Sequence, residues 1–91
     1  MVRTGVIEYL RIAEMAGARG ALLAPHNFGT CLGVYESLQI GKVAPAYLMC
    51  ECDDSCFSAY AAPGYVMRDG AYRLPDTPGF GVTAKDPRHA D

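Results

Sequence analysis

Two short runs in this chain are apolar without interruption, and they restrict the possible folds more than anything else in it. They are Ala21-Leu22-Leu23-Ala24 and Tyr47-Leu48-Met49-Cys50. Runs of four such residues read as strands buried on both faces, the pattern of a parallel sheet covered by helices. Each stops abruptly in polar residues, the first at Pro25-His26-Asn27 and the second at Glu51-Cys52-Asp53-Asp54. Between them a helix is expected from about residue 30 to residue 41, with Leu32, Tyr35, Leu38 and Gln39 on one side and Pro45 breaking the connection. Two such strands joined by one helix form a right-handed parallel crossover. In closed barrels of this construction the functional residues lie just past the carboxy ends of the strands. His26 and Glu51 occupy those two equivalent places.

A helix is also expected ahead of the first run, over about residues 5–18. Val6, Tyr9, Leu10, Ala13 and Gly17 recur at three- and four-residue spacing, which lines them along one side. Thr4 is the expected N-cap. Arg11 lies three residues from both Glu8 and Glu14, and Gly17 and Gly20 supply the stop. After the second run the character changes. Tyr65-Val66-Met67-Arg68 and Ala71-Tyr72-Arg73-Leu74 flank Asp69-Gly70, a strong signal for a two-residue hairpin turn. Pro75-Asp76-Thr77-Pro78-Gly79-Phe80-Gly81-Val82 reads as a rigid, turn-rich closing segment, and a polar tail follows from Lys85. The organisation expected is a single unit: β–α elements over 1–62, the hairpin and closing segment over 63–84, and the tail over 85–91.

With 91 residues, 51% of them hydrophobic, the composition is that of a globular chain, yet a complete barrel needs roughly 250 residues. Eight Lys and Arg against ten Asp and Glu leave a net charge of −2. The basic residues are scattered, so neither nucleic acid nor an anionic membrane surface is an expected partner. No run approaches the roughly 20 apolar residues of a membrane span. A cytoplasmic location follows as the expectation, with Cys31, Cys50, Cys52 and Cys56 as thiols. Cys50, Cys52 and Cys56 with His26 could be drawn as a zinc site, but their spacing departs from the usual knuckle and plain thiols are the preferred reading. Asp53-Asp54 reads as a solvated loop, although Asp53 is an alternative to Glu51 in register. Asn27 is a candidate ligand contact or a turn-stabilising amide.

Taken in order, these pieces resemble the carboxy-terminal end of the enolase superfamily, in particular the mandelate racemase and muconate lactonizing enzyme group. Val2-Arg3-Thr4-Gly5 and Glu8-Tyr9-Leu10-Arg11-Ile12-Ala13 are similar to the segment after the sixth barrel strand and the helix behind it. Leu22-Leu23-Ala24-Pro25-His26-Asn27 resembles the seventh strand and its catalytic histidine. Leu48-Met49-Cys50-Glu51 resembles the eighth strand and its glutamate. Asp69-Gly70 and Pro78-Gly79-Phe80-Gly81-Val82 resemble the family's hairpin and closing signature.

The resemblance implies an α/β fold, namely the last two parallel strands and helices of a (β/α)8-type barrel plus a carboxy-terminal β-hairpin. It also implies a reaction class: removal of the proton beside a carboxylate to give an enediolate stabilised by Mg²⁺, leading to racemisation or dehydration. By this resemblance His26 would be the general acid/base, a role suited to an imidazole. Glu51 would hydrogen-bond the substrate carboxylate, most usefully as a neutral acid that donates as charge develops. Asn27 is the candidate substrate-binding neighbour. Substrates would be acid sugars or 2-hydroxy acids. The family's acidic Mg²⁺ ligands, its lysine pair and the aspartate that orients the histidine belong to earlier strands that are absent here. The expectation is therefore a carboxy-terminal fragment that resembles part of a lyase or isomerase, binds no metal by itself and is inactive alone. The alternative is a non-catalytic remnant or interaction module that self-associates or complements a separate amino-terminal barrel part.

Overall fold

In the computed structural model, residues 4–27, 31–52 and 59–86 are described. The first helix, α1, spans Val6–Ala18. Its N-cap is Gly5, with φ of 78° and no side-chain cap, so the expectation of a Thr4 cap is corrected. A residue in this positive-φ conformation suits glycine, and Tyr9 N–H reaches back to Gly5 O. The far end closes as a Schellman motif. Ala21 N–H donates to Ala16 O and Gly20 N–H to Gly17 O, with Gly20 at φ 71°. Gly20 therefore stops the helix, whereas Gly17 lies inside it, close enough to Ala46 that an added Cβ would stand 3.6 Å from the alanine Cβ.

The expected apolar side of α1 is the inward one, but it is shallowly covered. Ala13 is buried and Tyr9 half-buried, while Val6 and Leu10 remain near the surface. Arg11 pairs with Glu8 at 3.5 Å, both side chains exposed; such a pair contributes little.

The second helix, α2, spans Cys31–Gly41. Its buried stripe is Gly33, Val34, Ser37 and Ile40, rotated from the expected set of Leu32, Tyr35, Leu38 and Gln39. Two surfaces cover this helix at once. Small residues face the inner elements, and Tyr35 and Gln39 are half-covered by the closing segment through Tyr65. Ile40, Ala13 and Ala44 form the apolar centre, with Tyr9, Leu23 and Tyr47 packed against it.

The two apolar runs lie side by side and parallel. Leu23 bridges Tyr47, with Leu23 N–H donating to Ala46 O at 2.7 Å and Leu48 N–H to Leu23 O at 2.8 Å. The pairing stops after one bridge because Pro25 follows. Proline has no N–H to donate to the neighbouring segment. Nor are both faces buried, as had been expected: Leu22, Leu48 and Met49 are 64%, 54% and 60% exposed.

Among the described residues four short strands follow. β2 (Val66–Arg68) and β3 (Ala71–Arg73) form the expected antiparallel hairpin, with Val66 opposite Arg73 and Arg68 opposite Ala71. Asp69 and Gly70 both have positive φ, 53° and 79°, the requirement of the type I′ turn that matches strand twist. A second ladder was not foreseen. β1 (Tyr60–Ala61) pairs antiparallel with β4 (Thr83–Ala84), extended by Lys85 N–H to Ala59 O at 2.8 Å. The described structure is thus α/β in content, with helices, one parallel bridge and two small antiparallel ladders. Among the described residues no helix is long and apolar enough to cross a membrane.

Candidate functional site

The carboxy ends of the two parallel segments meet at His26 and Glu51. The backbone sets this up. In an unbroken parallel ladder continued from the Leu23–Tyr47 bridge, Cys50 N–H would bond Pro25 O. Instead Glu51 N–H donates to Pro25 O at 3.1 Å. One extra residue is thereby accommodated in the second segment, a bulge-like slip that re-aims the side chain beyond it. Glu51 takes the position that regular register gives to Cys50, and its carboxylate turns to the histidine.

His26 Nδ1 lies 2.5 Å from Glu51 Oε2, with the imidazole 79% and the carboxyl group 49% exposed. The same oxygen accepts the Asn27 backbone N–H at 3.2 Å. A backbone amide can only donate, so Oε2 acts as an acceptor, and a proton carried by this carboxyl group would sit on Oε1. Nδ1 is committed to Oε2, which leaves Nε2 as the imidazole nitrogen available to an outside molecule.

Beneath this pair lies a buried polar chain. Asn27 is 6% exposed and Ser37 0%. Asn27 Nδ2 donates to Glu51 O at 3.2 Å, and Ser37 Oγ donates to Asn27 Oδ1 at 3.0 Å. Of the residues expected at the site, His26 and Glu51 come together at the surface, and Asn27 is directed inward with both ends of its amide engaged. Sequence reading missed Ser37. The available signal was a serine in mid-helix, a residue that favours caps and turns and whose presence there prompts a search for a partner.

Around the pair, Cys52 Sγ approaches Tyr72 Oη at 3.6 Å, which brings β3 to the edge of the site. Cys50 is half-buried, and burial pushes its thiol above the usual value; burial likewise raises the neighbouring phenols of Tyr47 and Tyr9. Cys50 and Cys52 are free thiols, as expected, but Cys31 is disulfide-bonded, which corrects the expectation for that residue. Cys56 and Asp53-Asp54 lie outside the described residues. Among the described residues no group of three or more His, Cys, Asp or Glu could hold a metal ion. The zinc arrangement includes Cys56 and so reaches outside the described residues, and among those described the Mg²⁺ implied by the resemblance finds no fitting donor set; no chemical step is derived through it. A separate concavity of about 580 Å³ lies between α1 and the 43–46 connection, lined mainly by Leu10, Ala13, Val43 and Ala44, with Glu14 at its margin.

A histidine and a carboxylate thus stand together at the adjoining ends of two parallel segments, followed by a hairpin and a turn-rich closure. The chain belongs to the enolase C-terminal domain-like family, whose profile matches residues 1–88. No curated protein and no solved structure matched it.

Proposed function

We propose that this chain provides the proton-transfer part of an enolase-superfamily site acting beside the carboxylate of an acid sugar or 2-hydroxy acid, in a dehydratase or racemase reaction. The observation supporting this reading is the His26–Glu51 pair, 2.5 Å apart at the carboxy ends of two parallel segments. In this reading His26 Nε2 accepts the substrate's α-proton. The resulting imidazolium is balanced on Nδ1 by the ionised Glu51 carboxylate, which in that state accepts and does not donate to the substrate. Neither group stabilises the charge that builds on the substrate oxygens. Dehydration, racemisation and exchange of the α-proton all pass through the charged enediolate, so none of them is expected from His26 and Glu51 by themselves, and the reading requires a complementary barrel part to stabilise that charge.

The test is α-proton exchange. The full chain, alone and mixed with an enolase-superfamily barrel truncated ahead of its seventh strand, is incubated in D₂O with Mg²⁺ and a panel of acid sugars and 2-hydroxy acids, and loss of the α-proton signal is followed by NMR. The chain alone should give no exchange, the mixture should exchange at least one substrate class, and His26→Gln should lower the rate in the mixture by about 10²–10⁴-fold. Equal rates in the wild-type and His26→Gln mixtures, or no exchange in the mixture across the panel, would sink the reading.

A second reading is favoured by a separate observation. Leu22, Leu48 and Met49 stand exposed on the paired segments, and apolar strand surface with free edges invites a covering partner. That partner would be a second copy or a complementary barrel part. Sizing across a concentration series checks it: a constant monomer mass whose behaviour is unchanged by Leu48→Lys would remove this reading.

A further inference from the structure

We infer that Ser37 and Asn27 are positioning residues that hold His26 in a single tautomer. This rests on reading His26 and Glu51 as the reactive pair, and it adds one residue, Ser37, from a different element, α2. Ser37 is fully buried, and its hydroxyl donates to Asn27 Oδ1 at 3.0 Å. The Asn27 amide faces this way because Glu51 O, a carbonyl, can only accept and so must meet Nδ2; the Ser37 hydroxyl then donates to Oδ1 and anchors the other end of the amide to α2. With Oδ1 turned to Ser37, Nδ2 points to Glu51 O and donates at 3.2 Å. Asn27 N–H holds Glu51 Oε2 at 3.2 Å. Both the main chain and the carboxylate of Glu51 are therefore tied to Asn27, itself tied to α2. Oε2 then faces His26 Nδ1. An ionised carboxylate is acceptor-only, so Nδ1 carries the proton and Nε2 presents its lone pair outward. The helix that links the two parallel segments thus also sets the basic nitrogen of the site. Pro25, buried just ahead of His26, anchors the same corner by taking the Glu51 N–H.

The experiment reads the tautomer directly, in the full chain, from the imidazole ¹⁵N shifts and long-range ¹H–¹⁵N couplings above the pH at which the ring is protonated. His26→Gln identifies the resonances. In the wild-type chain the Nδ1–H form should dominate. In Ser37→Ala the Asn27 amide is released and the population should move by several-fold toward the Nε2–H form that a free imidazole prefers. Ser37→Cys keeps the size but weakens the donor, and it should fall between the two. If Ser37→Ala does not fold, as judged by α2 amide protection, the cysteine variant alone decides the matter. A tautomer ratio unchanged from wild type in a folded Ser37 variant, or an Nε2–H form dominant in the wild-type chain, overturns the inference. Neither readout depends on turnover. Absent α-proton exchange in the complemented mixture with a tautomer that responds to Ser37 would count against the proposed reaction and leave the positioning role standing; the reverse outcome would do the opposite.

Discussion

The two halves of this molecule reach order by opposite routes. The amino-terminal half contains the most strand-like sequence in the chain, yet its apolar runs achieve one parallel bridge and leave Leu22, Leu48 and Met49 exposed. The carboxy-terminal half has more polar strands, and they form two ladders. Parallel segments depend on distant neighbours to complete their bonding, whereas a hairpin carries its own register in its turn. The amino-terminal half is held by the small apolar centre around Ala13, Ile40 and Ala44 and by Ser37, Asn27 and Glu51, a polar chain linking α2 to both segment ends. Specific local bonding and apolar burial thus divide between the two regions in a way that hydrophobicity alone does not indicate.

Several substitutions would break or sharpen that contrast. The largest effect is expected at Tyr65, the main attachment of the carboxy-terminal half. Its ring lies 4.5 Å from that of Tyr35, Gln39 Nε2 donates to its hydroxyl, and that hydroxyl donates to Phe80 O. Tyr65→Ala should cost about 3–5 kcal/mol, the range for removing a buried aromatic. Hydrogen exchange should show β2, β3 and β4 losing protection while Leu48 N–H keeps its own; equal loss in both halves would erase the distinction drawn here. Gly64→Ala is next. An added Cβ would lie 2.5 Å from Pro75 Cβ, and overpacking of this kind costs roughly 1–3 kcal/mol, readable as a lower denaturation midpoint. Gly70→Ala tests the self-contained turn. At φ 79° an alanine is strained by about 1–2 kcal/mol, and the loss should be confined to hairpin amides.

A pH series separates the halves in another way. Cys50, Tyr47 and Tyr9 all titrate higher in the fold than usual, burial being the first cause in each. The folded chain therefore keeps protons that the unfolded chain releases. Stability is full below the ordinary thiol value of 9.0 and declines as pH rises above it and then past the tyrosine value of 10.0. Cys50→Ala should remove the earlier part of that decline in thermal melts. The smallest effect is expected for Lys42→Ala. Lys42 Nζ meets Asp76 at 3.0 Å, but Asp76 is 98% exposed, and a pair so open to solvent should give no resolvable change in melting temperature.

Much of this was legible in the residues. Asp69-Gly70 announced its turn because both positions need positive φ, and Gly20 marked the end of α1 for the same reason. The pairing of His26 with Glu51 followed from their placement after two apolar runs. What was not legible depended on bonds between distant elements. The β1–β4 ladder joins strands two residues long and more than twenty apart, too short to leave a periodic trace. The rotated face of α2 reflects two neighbours competing for one helix, which spacing cannot reveal. The slip that delivers Glu51 arises because Pro25 lacks a donor, a consequence visible only once its parallel neighbour is known.

The bond from Ser37 to Asn27 also constrains how this gene can drift. Each residue gained or lost within α2 ahead of Ser37 would swing the hydroxyl by about 100° around the helix axis, away from its acceptor. Point changes on the solvent side of that helix should be tolerated. Small insertions or deletions in its first turns should not be, short of whole turns, so length in that stretch is the trait expected to resist change longest.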